Sequence, residues 1–456
     1  MRHESFTLAA IMTHLALWIS QAQFFMSLSF MLLFLLLEIG LAWALVFFKL
    51  RASGGQDRWL QAYRFWVRVF ALAFIAGFAA AVPVMIQFGS LWPALMERIG
   101  NVASPLLAAA VLSIFLFKSC FVGVMLFGQR RIPERVHTTL VVLVAVGVTA
   151  VALWPVMLFS WMRTPAGAVF SNGRYIVTDW FHVFFNPSFP WYAGLLLILA
   201  LATASLFMQG ITALQSLWRT PDDTDRAVFN FAARTAVLSL LALTLIAILA
   251  GRALAVHEPA RAAAALGYWE SGAQPSVAIV ALPGGEGQAE RWAWRWQGTG
   301  AGFLAPDQNG GYRGLDQFSG MSPPPALTFW SLRVAVFGTV LMLLLAALAW
   351  WRLLAHGGEP AALPRWLLKA LVVTGFGGWL VAVAGFAHVS IGTYPYAVAG
   401  TVTLTEVLAG VSVPALLVGG LALLLVYVFC LAGFLQVLWH NMRYGVVPVA
   451  RHRGRA

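Results

Sequence analysis

The sequence predicts an all-α integral membrane protein of about nine transmembrane helices. Three observations carry this. The 456 residues are 61% hydrophobic and 10% charged, where a soluble chain carries about 25% charged residues. Mean hydropathy is +0.81. The apolar residues also fall into runs that can cross roughly 30 Å of hydrocarbon, which takes about 20 residues each. The formal charge of +12 would point to an acidic partner in a soluble domain, but the arginines cluster in short loops between apolar runs, so the bilayer and not nucleic acid is the expected partner. Cys120 and Cys430 each lie inside an apolar run, so there is no disulfide framework, CxxC pair or CxxCH haem attachment.

The runs lie near 24–48, 65–87, 103–127, 136–161, 191–218, 229–251, 327–353, 367–391 and 409–439. The stretch 6–21, with His14 and Trp18, is apolar but lacks a small-residue cleavage pattern, so it reads as an interfacial helix and not a cleaved signal. The chain then divides into 1–251 (interfacial helix and spans one to six), an outer loop at 252–326, spans seven to nine at 327–440, and a basic tail at 441–456. Lys49, Arg51, Arg58, Arg64, Arg130, Arg131, Arg135, Arg219, Arg226, Arg352, Arg365 and the tail arginines share one side, while the opposite short loops hold chiefly Arg98, Arg163 and Arg174. The positive-inside rule therefore places the amino terminus outside and the tail in the cytoplasm. The long outer stretch contains Trp269, Trp292, Trp294 and Trp296. Such a loop is usually functional, and the tryptophans favour that reading over an interfacial aromatic belt.

Six strings occur in order along most of the chain: Gln87-Phe88-Gly89, Phe121 through Gly128, Ser160-Trp161-Met162-Arg163-Thr164-Pro165-Ala166-Gly167, Thr178-Asp179-Trp180 with Asn186-Pro187-Ser188-Phe189-Pro190, Arg313-Gly314-Leu315-Asp316, and Phe329-Trp330-Ser331-Leu332-Arg333. Together they resemble subunit I of the cytochrome bd-type quinol oxidases. The resemblance implies a nine-helix bundle in a bacterial-type plasma membrane, a second membrane subunit as partner, haem b and haem d in the complex, and a quinol-binding outer loop.

The resemblance fails where that family carries its chemistry. Its first-span histidine ligand maps to Met31, the fifth-span histidine to Ala193, Gly194 or Leu195, and the partner methionine to Ala335. The third-span acidic pair maps to Ala110 and Lys118, and the eighth-span glutamate to Ser390. In the segment from His257 to Glu270, which resembles the quinol loop and includes Trp269, the family's lysine is Arg261 and its glutamate Leu266. Alanine, glycine and leucine offer iron no donor atom, and neither arginine nor leucine can deprotonate a quinol.

The surviving polar positions each have two readings. Glu38 and Lys118 form a buried pair, or each faces a water-filled gap or another subunit. Met31 is a thioether ligand or gap-filling core. His388 is a ligand in a rearranged site or a hydrogen-bonded core histidine. Arg333, without haem, needs a carboxylate or backbone carbonyls. The expectation is a haem-free, non-catalytic scaffold, with no catalytic residue, metal or cofactor of its own, paired with a haem-bearing bd-type subunit; quinone is a further candidate ligand. The alternative is a catalytic quinol:oxygen oxidoreductase subunit with rearranged ligands at Met31, Lys118 and His388. A transporter is disfavoured, because no inverted pair of Gly/Pro-interrupted helices occurs.

Overall fold

Backbone polar groups in hydrocarbon must be satisfied within the segment that carries them, and these apolar runs do so as helices. A computed structural model describes residues 2–128, 131–283, 290–304, 306–307, 310–318 and 320–444. Nine helices among the described residues are long and apolar enough to cross a membrane. They comprise α1 (Arg2–Ser53), α2 (Asp57–Ser90), and a third span built from α3 (Pro93–Ser113), a π-helical stretch (Ile114–Val122) and α4 (Gly123–Phe127). The fourth is α5 (Glu134–Arg163). A hairpin of β1 (Ala168–Ser171) and β2 (Arg174–Val177), then the short α6 (Trp180–Phe184), lead to α7 (Phe189–Trp218) and α8 (Asp223–Leu254).

The long connection after α8 is substantially ordered. It contains α9 (Pro259–Leu266) and an antiparallel hairpin of β3 (Val277–Pro283) and β4 (Glu290–Trp296). The seventh span is α10 (Pro325–Ala355), and the eighth is divided into α11 (Arg365–Thr374) and α12 (Gly377–Ile391). A small hairpin of β5 (Tyr396–Val398) and β6 (Val402–Thr403), then α13 (Leu404–Val407), precede the ninth span, α14 (Val413–Tyr444). The end of the bundle that carries α9 and the hairpins is called the loop end below.

Three features differ from the sequence reading. The separate interfacial helix expected at 6–21 is continuous with the first span in α1. The polar residues Ser20, Gln21 and Gln23 suggest a boundary, but Ser20 is buried and Gln23 lies against Gly419 and Gly420 of α14, so these two face protein and the helix need not stop. The eighth span breaks at Gly375, where it crosses α7: a Cβ on Gly210 would come within 2.7 Å of the Gly375 Cα. Lys49, counted above among the loop cations, is instead fully buried, and its Nζ donates to Glu134 Oε1 at 2.6 Å. The basic tail beyond Tyr444 lies outside the described residues.

The central contact is α1 against α7. A Cβ on Gly40 would stand 2.2 Å from the Ala200 carbonyl oxygen and 2.5 Å from the Ala204 Cβ, the close approach that small residues permit between membrane helices. Aromatic rings fill the neighbouring interior, with Phe30 stacked on Tyr427 at 4.4 Å and Phe34 edge-on to Phe434 at 5.1 Å.

The buried Lys49 supplies one test. Glu134→Ala should strand a buried ammonium, which also lies 5.5 Å from the Tyr63 ring centroid. Because Glu134 is 52% exposed, the expected loss is about 2 kcal/mol, below the roughly 3–5 kcal/mol of a fully buried pair. Denaturant titration of the solubilised protein reads it, and Lys49→Met combined with Glu134→Ala should recover most of the loss.

Candidate functional site

Polar side chains concentrate inside the loop end, and α9 organises them. Pro259 at its first position starts the helix and Gly267, in the left-handed conformation, ends it. One turn therefore separates Glu258 from Arg261, and both are buried. Glu258 Oε2 lies 2.7 Å from Arg261 Nε as an ion pair, although it lacks hydrogen-bond alignment. Arg261 Nη1 donates to the Tyr192 hydroxyl at 3.0 Å, and that hydroxyl donates to Glu258 Oε1 at 3.4 Å. Burial disfavours the charge on Arg261, but the Glu258 carboxylate and the Tyr192 hydroxyl together outweigh it and hold the guanidinium pKa above its ordinary value. The Arg261 stem crosses the Gly392 backbone, where a Cβ would meet Cγ at 2.5 Å.

Two further buried arginines belong to the loop end. Arg333 donates to the carbonyls of Ala265, Ala278 and Ile279 and lies 3.8 Å from the Phe329 ring centroid, so it ties α10 to α9 and β3 through backbone oxygens. Arg163, the last residue of α5, lies over Phe159 and within electrostatic reach of Glu258, Tyr192 and Arg261. His388 lies 3.1 Å from the Thr328 carbonyl through Nδ1. A carbonyl only accepts, so Nδ1 carries the hydrogen, and in the neutral ring Nε2 keeps its lone pair.

The remaining sequence-predicted positions do not converge on this cluster. Leu266, where the resemblance implies an acid, packs as core with Ala263, Tyr268 and Leu304. Trp269 is buried and its Nε1 donates to Glu290 Oε2 at 2.9 Å, so it faces protein. Glu270 is exposed. Trp292, Trp294 and Trp296 are exposed on β4. Met31 packs against the core shared by α1 and α7. Glu38 is 1% exposed, with Oε2 facing Gly77 of α2. The Lys118 side chain lies outside the described residues, so the expected pair with Glu38 does too.

Most of the positions that the resemblance assigns to haem ligands hold side chains packed within the protein. Ala110 and Ala335 are buried apolar residues, and the space over Gly194 is taken by Ile246 Cδ1, 2.3 Å from where a Cβ would stand. Leu195 packs with Ile246, Met342 and Val381 between α7, α8, α10 and α12. Ser390 offers a buried hydroxyl with no hydrogen-bond partner among the described residues.

The motif strings serve as joints. Buried Asn186 donates from Nδ2 to Ser160 Oγ at 3.0 Å and to the Val183 carbonyl at 3.1 Å, while Oδ1 accepts from Thr164 Oγ1 at 3.2 Å and the Phe189 amide at 3.0 Å. In the other loop string, the Gly314 amide donates to Ser271 Oγ, whose hydroxyl donates to Asp316 Oδ1, closing the loop onto Trp269 to Ser271. Sequence reasoning missed Tyr192, Glu258 and Arg163 as one cluster. The available signal was an arginine at the loop end of α5 with no acid near it in sequence.

A family model for cytochrome bd terminal oxidase subunit I matches residues 19–446. The chain is 25% identical over 401 residues to cytochrome bd ubiquinol oxidase subunit 1 of Bacillus subtilis, covering 85% of each. It is 24% identical to a putative cytochrome bd menaquinol oxidase subunit I of the same organism, over 66% of this chain and 69% of that one. Its fold is similar to bd oxidase from Geobacillus thermodenitrificans, with a TM-score of 0.84 at 20% identity over 94% of this chain and 99% of that one.

Proposed function

Because this chain belongs to the cytochrome bd terminal oxidase subunit I family, we propose that it is the haem-free, non-catalytic scaffold of a bd-type complex, paired with a haem-bearing homologue. That it is a multi-span membrane subunit of a bd-type oxidase follows from the family match and the fold. The finer assignment rests chiefly on one observation: the positions that resemblance assigns to haem ligands hold Met31, Gly194, Leu195, Ala335 and Ser390, and Ile246 fills the space over Gly194. Of these only Met31 carries a side chain among the usual iron donors, and it packs in core. In this reading the haem b and haem d of the complex belong to the partner subunit.

The loop end supports the same reading. A quinol site needs a base beside the hydroxyl it deprotonates; here the family's lysine position is an arginine engaged by Glu258 and Tyr192, and the glutamate position is the core residue Leu266. In this reading quinol is oxidised on the partner. The loop charges favour an amino terminus outside and a cytoplasmic carboxyl terminus in a bacterial-type plasma membrane.

The chain purified alone from haem-supplied membranes is expected to show no near-stoichiometric haem in its pyridine haemochrome or reduced-minus-oxidised spectrum. The complex co-purified with a haem-bearing homologue is expected to show both. Near-stoichiometric haem in the lone chain would overturn the scaffold reading and transfer ligation to Met31, Lys118 or His388.

A further inference from the structure

Arg163 is 7% exposed, and its Nε meets no acceptor among the described residues. Its guanidinium carbon stands 4.7 Å from the Phe159 ring centroid. Glu258 is the carboxylate within its electrostatic reach, and that carboxylate is already in contact with Arg261 and Tyr192. One negative charge therefore faces two guanidinium groups. Arg333, a third buried guanidinium of the loop end, engages backbone carbonyls and the Phe329 ring and brings no further carboxylate among the described residues.

A second observation points the same way. Phe159, Tyr192 and Val389 pack in one cluster, and the next residue, Ser390, holds a buried hydroxyl with no partner among the described residues. Arg163 Nε and the Ser390 hydroxyl are thus two buried polar groups at the loop end that the described residues leave without a hydrogen-bond partner. Removing a charge from water costs several kcal/mol unless a counter-charge meets it, and a guanidinium presents a planar fork of N–H groups that matches the oxygens of phosphate.

We propose that the buried Arg163 guanidinium, beside Tyr192 and Arg261, binds a phosphate-type oxyanion. Its place at the last residue of a membrane span puts it at headgroup depth, where a phospholipid phosphate can enter from the leaflet and free phosphate can enter from the water. The inference goes beyond the scaffold assignment and does not depend on it: haem content is read by spectrum, anion binding by the measurements that follow.

The full-length protein, purified in mild detergent with its partner subunit, is compared with Arg163→Gln and Arg163→Lys. Native mass spectrometry after exchange into phosphatidylglycerol or phosphatidylcholine reads the lipid source. Thermal unfolding against inorganic phosphate, with chloride as the ionic-strength control, reads the diffusible source. Either retention of about one phosphatidylglycerol or saturable stabilisation by phosphate supports the site, and which of the two occurs names its source. Arg163→Gln is expected to weaken the effect at least tenfold, while Arg163→Lys retains charge and loses less. Wild-type protein that shows neither response, or Arg163→Gln that binds as wild type does, overturns the proposal. Should Arg163→Gln fail to fold, the wild-type phosphate and chloride titrations decide alone.

Discussion

Glu258→Ala is expected to destabilise the loop end by roughly 3–5 kcal/mol, because it removes the carboxylate that balances Arg261 inside the protein. The effect belongs to the stranded charge more than to the lost bond. Glu258→Leu together with Arg261→Met removes this pair and keeps the volume, so the double variant should recover part of the loss, the remainder being the buried Arg163 left without the carboxylate. Because Arg261 also donates to Tyr192, Arg261→Ala alone should likewise destabilise by several kcal/mol, leaving a buried carboxylate. Unfolding of the solubilised protein in denaturant gives the global term, and limited proteolysis around α9 locates it. Equal stability of Glu258→Ala and the wild type would contradict the buried pair.

Gly40→Leu should prevent α1 from docking on α7. Even the first carbon of a side chain would stand 2.2 Å from the Ala200 carbonyl oxygen, and that atom is backbone, so the helices must separate. Overpacking in a dense interior costs about 1–3 kcal/mol when side chains can shift; here the expected loss exceeds about 3 kcal/mol and should appear as failure to accumulate in membranes. Gly40→Ala provides the graded version. Adding Ala204→Gly relieves only the Cβ contact, so rescue should be incomplete. A Gly40→Ala protein that accumulates and unfolds as the wild type does would show that the two helices do not approach so closely.

The number and order of the spans were legible because hydrocarbon length imposes about 20 apolar residues per helix. What hydropathy cannot carry is which polar residue meets protein and which meets water. Ser20 to Gln23 mark a dip in the apolar pattern, yet the helix runs through them because α14 lies alongside. Lys49 reads as a loop cation from its place at the end of a run, yet Glu134, 85 residues on, draws it inside. The break in the eighth span follows from where α7 crosses it, which depends on the assembled bundle.

The candidate site divides in the same way. The last motif string contains Arg333, and the resemblance of the segment 257–270 to a quinol loop singled out Arg261, Leu266, Trp269 and Glu270. Arg163, Tyr192 and Glu258 come from three separate elements, and only the closing of the loop end brings their charges together. The strings themselves proved to be joints such as Asn186 and Gly314. These joints are not the positions that the resemblance assigns to haem ligands, so the architecture rests on other residues.

The Asn186 joint has a further consequence for the chain's chemical lifetime. Its amide ties Ser160, Thr164, Val183 and Phe189 together, so conversion to aspartate would replace two donors with a carboxylate facing a carbonyl. The common route to that change is cyclisation by the backbone nitrogen of the next residue. That residue is Pro187, which has no N–H to give up. The side chain that can least tolerate ageing is thus closed to its usual path.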